Sequence, residues 1–215
     1  TYLPSRRGHS SQRYSSVMNA HVSPQIQSVK IVGAGLIGTS IALALAHQGF
    51  LVSIDDADQK ALALANDLLA PYLKAKDEEK REFDLVIIAT PPASVVSALK
   101  AEFARNSKSI FIDVSSVKTN LIQEIEALPA LAERFVGTHP MAGREVSGAS
   151  SAQADLFNGR AWIITPTTKT STRAIAMAKE LIQVLGASSY EMSAREHDHL
   201  MARISHLPQI ASTLI

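Results

Sequence analysis

Cysteine is absent from this chain of 215 residues. That removes disulfide scaffolds, thiolate zinc sites, iron–sulfur clusters and a thiol nucleophile together. An excess of one charge sign is missing too. Lys+Arg 21 against Asp+Glu 20 leaves a formal +1, which excludes a strongly basic nucleic-acid binder and an acidic tail protein. No apolar run approaches the roughly 18–20 residues of a membrane span, so neither nucleic acid nor membrane is an expected partner. What is present is 46% apolar and 19% charged residues, which rules out disorder over most of the length. A chain of this size buries roughly 70% of the surface it would expose unfolded, enough for a well-filled core. The expected class is a soluble, cytoplasmic α/β protein.

Residues 1–28 differ from the rest. Thr1 to Ser16 carries five Ser and three Arg with almost no apolar periodicity. The stretch reads as a disordered leader, with Met18 the natural start; a transit peptide is the alternative. From Val29 onward strands and helices alternate. Short apolar runs at Val29–Val32, Leu51–Asp55, Phe83–Thr90, Ser109–Val114, Phe135–Thr138, Ala161–Thr165 and Ser188–Met192 predict strands. Helices are predicted to about His47, after Ala57, and over Ser94–Ala104, Asn120–Leu128 and Ser171–Leu185. FDLVIIAT is nearly continuously apolar, as a strand buried on both faces must be. Alternation of this kind implies right-handed βαβ units and a Rossmann-type, doubly wound, mostly parallel sheet over residues 29–192. Residues 193–215 predict one more helix, opened by a Ser193/Glu196 capping box and striped by Leu200, Ile204, Leu207, Ala211 and Leu214. Pro208 is expected to bend it. The stripe ends uncovered at Ile215, so truncation of a longer chain is expected.

Four segments at predicted strand ends carry chemistry. Gly33-x-Gly35-x-x-Gly38 lies between a strand and a helix, with Leu36 and Ile37 opening the helix. The first Gly allows the tight turn, the second lets a pyrophosphate approach the backbone, and the third packs helix on strand. Asp55 follows Gly33 by 22 residues, where a carboxylate binds a ribose 2′-OH and repels a 2′-phosphate. The implied cofactor is NAD rather than NADP. Thr90-Pro91 closes the third strand, either lining the nicotinamide or simply punctuating the chain. Ser115 and Ser116 follow the fourth; each can meet a substrate alcohol or cap the next helix, and spacing alone favours capping. His139 follows the fifth, where a neutral imidazole can take a proton from an alcohol as hydride leaves the same carbon. Glu196, His199 and His206 supply too few ligands for a metal site, and none is expected. Ser205 and His206, at the turn weakened by Pro208, are placed to face a ligand.

Taken together, GAGLIGTS, the Asp113-x-x-Ser116-Val117-Lys118 segment, HPMAGREVSG, LFNGRAWIITP and EHDHLMARISHLPQ resemble the prephenate/arogenate dehydrogenase family of tyrosine biosynthesis, in order, from Val29 to the end. The resemblance implies a Rossmann domain followed by an all-helical dimerisation domain, here only begun, and hence a homodimer. It implies NAD-dependent oxidative decarboxylation of prephenate, or of its amino analogue arogenate. His139 would accept the hydrogen bond of the ring hydroxyl and Ser116 would bridge that hydroxyl and the nicotinamide. His206 would lie near the substrate carboxylates and Glu145 near the pocket mouth. The family's carboxylate-binding Arg falls beyond Ile215; Arg144 and Arg203 are candidate replacements. A β-hydroxyacid-type dehydrogenase, which would use a lysine base, fits HPMAG poorly. An NAD-binding module inactive for want of its second domain is the non-enzyme alternative.

Overall fold

The computed structural model describes residues 25–72, 82–142 and 148–213, with residues 204–213 described by backbone alone. Five strands, β1 (Ser28–Val32), β2 (Leu51–Asp55), β3 (Leu85–Ile88), β4 (Ile110–Asp113) and β5 (Phe135–Pro140), run parallel. β6 (Ala161–Pro166) turns back antiparallel to β5, and β7 (Ser188–Glu191) pairs parallel to β6. The order in the seven-stranded sheet is β2-β1-β3-β4-β5-β6-β7. Chain order reverses between β1 and β3, the switch point where open α/β sheets bind ligands.

Period-two alternation sorts the strand residues between two cores. Val29, Ile31, Leu85, Ile87, Ile112, Val136 and Ile164 face one side, covered by α1 (Leu36–His47) and α6 (Thr172–Val184). Val86, Ile88, Phe111 and Phe135 face the other. There they meet α3 (Val95–Arg105), α4 (Thr119–Glu126) and the short α5 (Pro129–Ala132). All four residues of β3 are buried, as its unbroken apolar run requires. α2 (Gln59–Leu69) begins at Asp58, whose carboxylate caps it by accepting from Lys60 N–H at 2.9 Å. The outer strand β7 is short, polar and exposed along its length, which blunts that sheet edge.

Several boundaries differ from expectation for identifiable reasons. The fold takes in the end of the stretch assigned to a leader: Ile26 is buried in the core and Ser28 already belongs to β1. Residues 1–24 lie outside the described residues. Pro129 both stops one helix and starts another, occupying the first turn of α5, where its missing N–H has no helical partner to lose. β5 extends through His139 and Pro140 because β6 pairs with those residues, His139 facing Ile163. The last helix, α7 (Ala194–Thr213), opens with the expected box, Ser193 N–H donating to the Glu196 carboxylate and Glu196 N–H to Ser193 Oγ. It runs through Pro208 as one element. Its covered face is set by His197, fully buried, with Asp198 and Met201 beside it, whereas Leu200 is 39% exposed. The predicted stripe is thus rotated at its start; Ile204, Leu207, Ala211 and Leu214 have no described side chains. Among the described residues, no helix is long and apolar enough to cross a membrane.

Candidate active site

The carboxyl ends of the parallel strands bring the predicted segments to one edge. After β1 the chain turns through Gly33 at φ +117, a conformation that favours glycine. A Cβ on Gly33 would collide with the Ala89 carbonyl beyond β3, and one on Gly38 with the Gly33 carbonyl. Gly35, by contrast, faces open space within 4 Å of its missing Cβ. It is also the N-cap of α1, with no side-chain cap and no acidic residue in the first turn. The leading N–H groups of α1, including those of Leu36 and Ile37, are therefore left for an anion, which the helix dipole favours. This cradle fits a dinucleotide pyrophosphate.

Beside it, Asp55 ends β2 exposed, and its carbonyl accepts from Gly33 N–H at 2.7 Å. The carboxylate touching the loop belongs to Asp56, which accepts from Ala34 N–H at 2.6 Å and Asp58 N–H at 2.8 Å. Sequence reasoning had given Asp56 no role; the structure makes it the brace of the glycine loop and leaves the Asp55 carboxylate free of side-chain hydrogen bonds among the described residues. Thr90 and Pro91 follow β3 directly, and Thr90 Oγ1 is buried without a hydrogen-bond partner.

The two serines after β4 behave differently from each other, and neither caps α4. Ser115 is buried, its hydroxyl bonded to Asp113 and to the Val117 carbonyl. Ser116 is exposed at the turn. The first N–H groups of α4 are instead met from another element: Lys118 N–H and Thr119 N–H donate to the two Asp198 oxygens at 3.0 and 2.8 Å. The Lys118 ammonium is wholly buried, paired with Asp113 and bonded to Ser115 Oγ. Burial pulls its pKa below the ordinary lysine value, while Asp113 and Asp198 pull it back up. Asp113 also accepts from Thr138 N–H at 3.2 Å, so one carboxylate ties β4 to β5 and to the start of α4.

His139 sits at the end of β5 with its Nδ1 2.9 Å from His197 Nε2, and His197 Nδ1 is 2.8 Å from Asp198 Oδ1. Burial holds the Asp198 carboxyl up, but hydrogen bonds from Thr119, His197 and Lys118 outweigh it and bring its pKa down to about 2. An ionised carboxylate can only accept, so His197 carries its proton on Nδ1 and offers Nε2 as an acceptor. His139 must then donate from Nδ1, which leaves its Nε2 lone pair free. Burial, followed by the neighbouring His197 and Lys118, lowers the His139 pKa to about 4, so the ring stays neutral. A neutral imidazole with one nitrogen fixed and the other bare is a proton acceptor held in register.

His197, Asp198 and Lys118 were missed as site residues because 58 residues separate the two histidines. One signal was available: His197 lies one turn ahead of Leu200 and Met201, on the flank of the helical stripe. Glu145 and Arg144 lie outside the described residues, as do the side chains of Ser205 and His206 on α7. Arg203 lines an open groove along α7 with Arg195, Glu196, His199 and Leu200. Among the described residues no group of three or more His, Cys, Asp or Glu is placed to hold a metal ion.

A family model described as prephenate dehydrogenase, nucleotide-binding domain, matches residues 41–191. The chain belongs to the prephenate dehydrogenase family. Within it, the chain is 35% identical over 190 residues to the probable prephenate dehydrogenase NovF of Streptomyces niveus, covering 88% of this chain and 52% of that protein. Prephenate dehydrogenase from Aquifex aeolicus, solved with hydroxyphenyl propionate and NAD+, superposes with a TM-score of 0.76 at 30% identity, covering 88% of this chain and 68% of that one. Synechocystis arogenate dehydrogenase superposes at 0.73 with 28% identity, covering 84% and 65%. The chain spans about half the length of the curated family members it matches, 52% of two of them. What it contains is the family's nucleotide-binding domain, with the imidazole pair at the edge of its sheet.

Proposed function

We propose that this chain binds NAD and forms the catalytic edge of a prephenate dehydrogenase, oxidatively decarboxylating prephenate to 4-hydroxyphenylpyruvate. The observation that carries this reading is the bare Nε2 of His139 at the sheet edge that also bears the glycine cradle. Bound NAD supplies the hydride acceptor. Gly35 and the α1 N-terminus would hold the pyrophosphate, and the free Asp55 carboxylate would accept from the adenine-side ribose. Asp55 and the loop-bound Asp56 together repel a 2′-phosphate. Thr90 and Pro91 line the nicotinamide. His139 draws on the ring hydroxyl proton while Ser116, whose hydroxyl is exposed, orients that hydroxyl toward the nicotinamide. His206 and Ser205 are assigned to the substrate carboxylates, Glu145 to the mouth of the pocket, and α7 to the opening of a helical domain through which two copies pair.

Prephenate-dependent NADH formation by the protein in its native length tests this. Prephenate should reduce NAD and leave NADP nearly untouched, and Asp55→Ser should weaken NAD roughly 10–100-fold by losing a charge-assisted hydrogen bond. Turnover of arogenate but not prephenate would move the assignment to the amino analogue. An absence of NADH with either substrate would reject it.

A further inference from the structure

We infer that His139 and His197 act as one two-histidine proton reservoir, in which the proton taken from substrate comes to rest on His197 beside Asp198. This rests on the dehydrogenase reading above and adds His197 and Asp198 to it as relay and positioning residues. The two rings meet edge to face, their centroids 5.1 Å apart and their planes at 68°, with a single short contact between nitrogens. Both rings are desolvated, His197 fully so, but a proton on His139 would lie near the Lys118 ammonium with Asp198 one imidazole away. A proton on His197 meets the Asp198 carboxylate at 2.8 Å, and that carboxylate is pinned by two backbone N–H groups. Coulomb attraction favours the second placement even at the effective dielectric of a partly wet site.

The step balances. The substrate O–H bond breaks and its proton joins His139 Nε2, while the Nδ1–H bond of His139 breaks and that proton joins His197 Nε2. Hydride leaves the same substrate carbon for the nicotinamide. After CO2 departs and the ring becomes aromatic, both protons shift back and the phenol oxygen regains its own. No net proton is released, and no co-reactant beyond NAD is needed. Among the described residues, the charged or titratable groups around the pair are His197 and Asp198 on α7, Lys118 at the start of α4 and Asp113 on β4. β6, the other neighbour of β5, carries none.

The first test needs no turnover. Nitrogen-15 NMR of the histidine rings in the unmodified chain near pH 7 should show both His139 and His197 protonated on Nδ1. A proton on His139 Nε2 would overturn the relay whether or not the protein is a prephenate dehydrogenase. The second uses His197→Gln, whose amide oxygen can still accept from His139 Nδ1–H but cannot hold a proton. Its kcat for prephenate should fall roughly 10–100-fold, with KM and NAD affinity within about twofold. An unchanged kcat would show that His197 only orients His139. Should that variant misfold, Asp198→Asn serves: removing a carboxylate that holds protons on the pair moves the acid limb of kcat to lower pH. A uniform loss with an unmoved limb would assign Asp198 a structural role and contradict the proposal.

Discussion

Replacing His139 by Asn should lower kcat by roughly 10²–10⁴ while leaving NAD affinity nearly unchanged. Asn reaches the same distance as the Nδ1 side of the ring, so its amide can still donate to His197 and keep the end of β5 in place. What it lacks is the second nitrogen, the only atom of His139 left free to receive a proton. The loss therefore belongs in kcat and not in cofactor binding, because the glycine cradle lies on β1 and α1. Steady-state rates beside NAD titrations separate the two, and an unchanged kcat would remove His139 from the chemistry. The pH dependence adds a sign. With its pKa lowered to about 4 by burial, the ring remains neutral far below the ordinary histidine range. The acid limb of kcat/KM controlled by His139 should thus lie near pH 4 to 5 and not near 6.5. By linkage, His139 favours the folded state fully above its unfolded pKa, and that contribution fades as pH falls toward the folded value.

Lys118→Met should be the most damaging substitution for the fold among the polar residues of the site. The side chain is fully buried against Asp113, so removing it leaves that carboxylate, among the described residues, with Ser115 and the Thr138 N–H as partners. Breaking a buried pair in this way costs about 3–5 kcal/mol. For a chain of this length that corresponds to a fall in Tm of roughly 6–20 °C. Adding Asp113→Asn removes the stranded charge, so the double variant should lose less than the two single ones summed. Thermal unfolding of the four proteins measures this cycle, and a Tm for Lys118→Met within about 2 °C of the parent would deny the pair any structural weight. The pair matters to function as well, because the backbone N–H of Lys118 holds Asp198 and so fixes the imidazole chain.

Much of this architecture is legible in the chain, because local periodicity and long-range packing agree. β2 follows from five residues between a glycine turn and a helix cap, and β3 from an apolar run that only a doubly covered strand tolerates. The glycine loop is readable because each of its three glycines has a separate steric reason. The reverse direction of β6 is less so: nothing in AWIITP states whether it pairs parallel or antiparallel, and the described residues between Pro140 and Ala161 supply only the short turn Ala149–Ser151 rather than a crossover helix. The imidazole chain is harder still. His197 and Asp198 lie within a run of charged residues that looks like a solvated helix face, and only docking α7 on β5 and α4 buries one and lowers the carboxyl pKa of the other. Ser115 misleads for the opposite reason, since a serine before a helix suggests a cap, yet Asp113 claims its hydroxyl and Asp198 takes the capping role from a distant element.

A structure of the protein with NAD and 4-hydroxyphenylpyruvate bound tests the central claim most directly, through one distance. The phenol oxygen should lie about 2.6–3.2 Å from His139 Nε2, with the nicotinamide stacked over the same ring carbon. A phenol seated away from that nitrogen, with His139 turned toward protein, would contradict the account.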